Sequence, residues 1–92
     1  MIRVLCTRVS RGLREADAIA TVRDFQGRCH FLQVEKDFLT QHNAHSYLPV
    51  ALVQRDAETG AVLIELPHEA ETGVNRIWVR AEDLLDGPEV AA

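Results

Sequence analysis

Tyr47-Leu-Pro-Val-Ala-Leu-Val-Gln-Arg55 is the stretch on which the fold turns. In an extended chain successive side chains point to opposite faces, so Leu48, Val50 and Leu52 share one face while Ala51 and Val53 occupy the other. Both faces therefore ask for cover. The neighbouring strands read differently. In Ala61–Leu66 the apolar Val62, Ile64 and Leu66 alternate with Glu65, and in Asn75–Arg80 Ile77 and Val79 oppose Trp78 and Arg80. These are half-buried strands with one core face.

Working back towards the N-terminus, Ile2–Val9 is rich in β-branched and apolar residues and reads as a first strand. Ser10–Asp17 is a loop. Ala18–Phe25 and Arg28–Val34 form a hairpin about Gln26-Gly27, where glycine supplies the positive φ of a tight turn. Short helical turns are expected near residues 36–41 and 81–86, a connector at His42–Ser46, a turn at Asp56–Gly60 and a polar loop at Pro67–Val74. Six short strands with polar turns favour a small barrel or a sandwich over an open sheet, and the whole is expected to be one all-β domain over residues 1–86, a five- to six-stranded small barrel whose closure removes exposed strand edges. Residues 87–92 are expected to form a flexible C-terminal tail. The closing order of hairpin, strand and helical turn resembles the general layout of small SH3-like barrels.

An internal likeness accompanies this pattern. Phe31-Leu-Gln-Val-Glu-Lys-Asp-Phe-Leu39 lies over Ile77-Trp-Val-Arg-Ala-Glu-Asp-Leu-Leu85 without a gap, at an offset of 46 residues. Two origins fit it: a duplicated unit, or separate use of the same way of leaving a strand by one helical turn.

The chain of 92 residues carries a formal charge of −4, which argues against a generally cationic nucleic-acid binder. That average conceals a division. Residues 1–28 hold six arginines against three acids, and the remainder holds four bases against eleven acids. The expectation is that the basic segment folds against the acidic one, with a dedicated anion site as the alternative. No apolar run reaches the roughly 20 residues of a membrane span, and the N-terminus lacks the apolar stretch of a signal peptide, so a soluble cytoplasmic protein without membrane association is expected. Cys6 and Cys29 are then reduced, small buried apolar residues.

No set of residues has the spacing of a metal or catalytic site. His42 and His45 are too close for a His-x3-5-His pair and have no cysteine pair beside them, so no metal is expected. Cys29 and His30 point to opposite faces of a strand. A cysteine, a histidine and Asp24 can be combined into a nucleophilic set, yet nothing local selects it, and no glycine-rich phosphate loop or nucleophile elbow is present. No enzymatic activity and no cofactor are expected. The function expected instead is non-catalytic protein–protein interaction, with self-association as a supplement to a small core. Trp78 and Leu63 form its apolar anchor, and Arg8, Arg11 and Arg14 its electrostatic rim. Val53 joins Leu63 and Trp78 in the surface offered to a second copy. The alternative is a single-stranded nucleic-acid-binding barrel that uses the same arginines with Phe25, Tyr47 or Trp78 as stacking platforms.

Overall fold

The computed structural model describes residues 2–85; Asp86 and the expected tail at 87–92 lie outside the described residues. Strands β1 (Arg3–Arg11), β2 (Asp17–Arg23), β3 (Cys29–Glu35), β4 (Thr40–His42) and β5 (His45–Pro49) form an antiparallel sheet in the order β3-β2-β1-β5-β4. A second sheet holds β6 (Ala51–Arg55), β7 (Val62–Glu65) and β8 (Arg76–Val79) in sequence order. The chain then returns through β9 (Leu84–Leu85), which adds to β1. Among the described residues no helix is long and apolar enough to cross a membrane.

Alternation accounts for most of these strands. β3 alternates exposed and buried along its whole length, with His30, Leu32 and Val34 inside, and β8 buries Ile77 and Val79 while Trp78 faces out. The core draws Val4, Val22, Leu32 and Leu48 from the first sheet and Val62, Ile64, Ile77 and Val79 from the second. The apolar faces of the two sheets are thus buried in one cluster.

The all-β expectation holds, whereas the strands do not close into a barrel: among the described residues they divide into two sheets. The reason lies in the stretch around Pro49. Pro49 has no N–H to continue a ladder, β5 ends there, and the Val50 N–H donates to the Ile2 carbonyl at 3.1 Å before the chain enters the other sheet as β6. Tyr47–Arg55 is therefore two strands in two sheets. Leu48 is fully buried, but Leu52 and Val53 are 45% and 38% exposed, and a bulge between Leu52 and Gln54 disturbs the pairing with β7. The strand that is covered on both faces is β2, with Ala18, Ala20, Thr21 and Val22 all buried.

The expected connector at 42–46 is a hairpin. Asn43 and Ala44 both adopt positive φ, 51° and 69°, as a two-residue turn between twisted strands requires. The expected helical turns are single 3-10 turns at Lys36–Phe38 and Ala81–Asp83. Gly12 ends the first strand where the chain doubles back on Asp17; a Cβ there would lie 2.7 Å from Asp17 Cβ, so only glycine fits without displacement. Cys29 is exposed, contrary to expectation, because it begins β3 on the outward phase, while Cys6 is buried. One of the three arginine–carboxylate pairs among the described residues, Arg23 with Asp83, joins the basic segment to the acidic remainder; Arg14–Asp17 and Arg76–Glu65 stay within their own segments.

Candidate functional site

A concavity of about 460 Å³ opens where the β2–β3 hairpin meets β8. The Phe25 N–H donates to the Trp78 carbonyl at 2.6 Å, a backbone link between the two sheets. Phe25, Val74, Ile77 and Trp78 supply its apolar wall, and Asp24, Arg28, His30, Asp56 and Arg76 its charged and ionisable groups. Trp78 is 37% exposed and sits opposite Leu63 on the outward face of the second sheet.

The hairpin turn is built on Asp24. Its Oδ1 accepts from the backbone N–H groups of Gln26 and Arg28, both at 2.9 Å, an Asx-type turn in which the side chain replaces a backbone acceptor. Gly27 completes it with φ 89°. The second oxygen, Oδ2, lies 3.0 Å from His30 Nε2, and His30 Nδ1 lies 3.0 Å from the Thr72 hydroxyl. His30 is only 7% exposed, so both ring nitrogens need these partners. Burial pushes the Asp24 carboxyl up, but the hydrogen bonds from His30 and from the Arg28 and Gln26 backbone outweigh it and hold the group below the usual carboxylate range. Two further contacts bind the 67–74 loop to β3: the Glu71 N–H donates to the Phe31 carbonyl at 2.9 Å, and His68 Nε2 lies 2.8 Å from the Gln33 carbonyl oxygen. The loop thereby occupies carbonyls on the outer edge of β3.

The charges of this site are unequally engaged. Asp24 is held as described, and Asp56 is closed into its own turn by the Thr59 hydroxyl at 2.7 Å and the Glu58 N–H at 3.1 Å, which lower its pKa. Arg76 pairs with Glu65 at 3.0 Å. Arg28 is exposed and has no ion pair among the described residues.

The histidine, aspartate and threonine are ordered as in a nucleophilic triad. Thr72, however, does not line the concavity, so its hydroxyl is not where a substrate in that space would sit. Among the described residues no three His, Cys, Asp or Glu side chains converge as a metal site.

The structure brings Trp78 and Leu63 together, across the β7–β8 ladder, but Leu63 is half-buried and does not line the concavity. Arg8, Arg11 and Arg14 are not at its rim. Arg8 and Arg11 are exposed on β1, with Arg11 lining a separate concavity, and Arg14 donates to Asp17 at 2.8 Å, which holds that carboxyl below its usual range. Sequence reasoning missed His30 and Arg28. The signal for His30 was its place in phase with Leu32 and Val34, since a polar side chain on a core face requires a partner. Arg28 had only its position after an Asp-x-x-Gly turn. Comparison with protein-family models, with curated proteins and with solved structures returned no match.

Proposed function

We propose that the protein is a non-catalytic protein–protein interaction module that takes an acidic, extended segment of a partner protein at the Trp78 concavity. The observation that carries this reading is the exposed indole of Trp78 beside Phe25 and Val74, next to an arginine that makes no ion pair with any described residue. Aromatic anchors in partly enclosed, desolvated pockets dominate binding energy, and a neighbouring guanidinium selects a carboxylate. The two lining aspartates are engaged by their own turns, so Arg28 is the group left to recognise charge. The SH3-like reading of the layout belongs here too: the 3-10 turn after β8 and the return of β9 to β1 support a small barrel opened into two sheets. The single-strand nucleic-acid reading has less support, because no aromatic side chain lines the concavity that holds Arg11.

The test is a titration of isotopically labelled protein with synthetic peptides that place a leucine or phenylalanine beside two acidic residues, against neutral analogues. Shifts at the Trp78 indole N–H and the Arg28 amide are expected with the acidic peptides. Trp78→Ala abolishes them, Arg28→Gln weakens them, and Arg11→Ala leaves them unchanged. Saturable shifts only with a single-stranded oligonucleotide would transfer the site to nucleic acid. Slow tumbling without any ligand would identify a second copy as the occupant.

A further inference from the structure

A second concavity, about 370 Å³, lies where β1 outruns β5. β5 pairs with β1 only from Arg3 to Cys6, with Ser46 on the last rung, whereas β1 continues against β2 as far as Arg11. The side that β5 vacates is bounded by the first 3-10 turn and β4, which bring in Lys36, Leu39 and Gln41. Arg11, Lys36, Gln41 and Ser46 supply its polar side chains, Ser10 lying on the opposite phase of β1 from Arg11, and no carboxylate lines it.

Every one of these groups can donate. Arg11 and Lys36 are exposed cations with no ion pair among the described residues. The Ser46 hydroxyl accepts from Gln41 Nε2 at 2.8 Å, which leaves its own proton to donate. The backbone adds more. The Gly12 N–H donates to the Asp17 carbonyl, so Gly12 faces β2, and antiparallel alternation turns the N–H groups of Arg11 and Val9 to the vacated side. The carboxylate nearest in sequence to β2's end of the site, Asp17, is occupied by Arg14 and Gln33, and Asp37 follows Lys36 on the exposed turn without lining the space.

We infer that this concavity binds a phosphate monoester. Two cations, the Ser46 hydroxyl and strand N–H groups line one space with no carboxylate among its lining residues, the donor set suited to a compact dianion. The space exceeds a bare phosphate, so it admits one carried on an amino acid or a nucleoside. The site shares no residue with the Trp78 concavity, and each stands or falls alone.

The experiment is amide NMR of the full chain titrated with inorganic phosphate at constant ionic strength, then with phosphoserine and a nucleoside monophosphate. Saturable shifts are expected at Val9, Arg11, Gln41 and Ser46. Loss of one charge-assisted contact predicts that Arg11→Gln and Lys36→Gln each weaken binding about tenfold or more, with amide spectra otherwise unchanged. The carrier that binds tighter than inorganic phosphate identifies the source. Shifts reproduced by acetate or chloride at the same ionic strength, absence of saturation, or equal affinity in Lys36→Gln would each overturn the assignment.

Discussion

Removing the Asp24 carboxylate is expected to loosen the turn that carries Phe25 and Arg28 and the tie that binds it to the 67–74 loop. Asp24→Ala deletes two accepted N–H bonds in an exposed turn and the contact to His30. Water replaces the first two at a combined cost of about 1 kcal/mol, while the buried His30 Nε2 left without an acceptor costs about 1–3 kcal/mol. The expected loss is therefore about 2–4 kcal/mol. Asp24→Asn is milder. Its amide oxygen still serves the turn, and the ring can accept at Nε2 while donating from Nδ1 to Thr72, so the loss shrinks to the difference between a charged and a neutral bond, about 1 kcal/mol. The two proteins also differ in acid. Because the folded-state pKa of Asp24 lies below its unfolded value, its contribution is complete above about pH 4 and is lost as pH falls through the folded value. Asparagine does not titrate, so the stability gap between wild type and Asp24→Asn narrows on acidification. Asp17 and Asp56 are lowered as well but affect both proteins alike, which makes the difference curve the quantity to measure. Urea unfolding followed by the single tryptophan and by far-ultraviolet circular dichroism, from about pH 7 down to about pH 3, supplies it. A loss below about 1 kcal/mol for Asp24→Ala, or a pH-independent gap for Asp24→Asn, would refute the account.

Three further outcomes are expected. Gly12→Ala forces the backbone away from Asp17, whose carbonyl carbon would lie 2.8 Å from the new Cβ, and should cost about 1–3 kcal/mol; an unchanged urea midpoint would contradict it. Ala44→Gly relieves a positive φ of 69° and should stabilise by about 0.5–1 kcal/mol after the larger entropy of the unfolded glycine chain is subtracted, seen as a higher melting temperature. A thiol reagent should label the native chain once, at exposed Cys29, because burial pushes the Cys6 thiol up to about 12; denaturant should release the second site, and two rapid labels on folded protein would count against this.

Local pattern revealed the strands of this fold better than their assembly. β3, β7 and β8 announce themselves by period-two alternation, and Gly27 marks the first hairpin because its turn needs a positive φ. Tyr47–Arg55 misled because alternation assumes one continuous strand in one sheet. The N–H missing from Pro49 was the visible cue to a break, but the acceptor of the next N–H, the Ile2 carbonyl, lies at the other end of the sequence. The hairpin at Asn43-Ala44 was hidden for a local reason, since alanine is a poor residue for a left-handed position. Trp78 could be placed on the outer face from its own strand. Its neighbours could not, because Phe25, Arg28 and Val74 reach it only through the pairing of distant segments.

The repeated segments show how strand phase decides between a shared sequence pattern and a shared structure. At an offset of 46, which matches Asp37 with Asp83 and Leu39 with Leu85, buried Leu32 falls on exposed Trp78 and exposed Phe31 on buried Ile77. Sliding by one residue restores the agreement. Lys36–Phe38 then lies over Ala81–Asp83, an offset of 45, with Leu32 on Ile77 and Val34 on Val79. The backbones agree at the same offset: Glu35 and Arg80 precede the turns with φ/ψ of −71°/140° and −76°/142°, and the N–H groups of Leu39 and Leu84 close them onto Lys36 and Ala81. A one-residue slip exchanges the faces of a strand, so 45 is the offset at which the two segments share a structure, and there the identities are as many as at 46: Val34 with Val79 and Leu39 with Leu84. The matching geometry follows from a constraint common to both, a strand that buries alternate residues and then turns through one 3-10 step into a short strand. That constraint specifies which positions are buried, and it fits a duplicated unit and a separate use of the same turn alike.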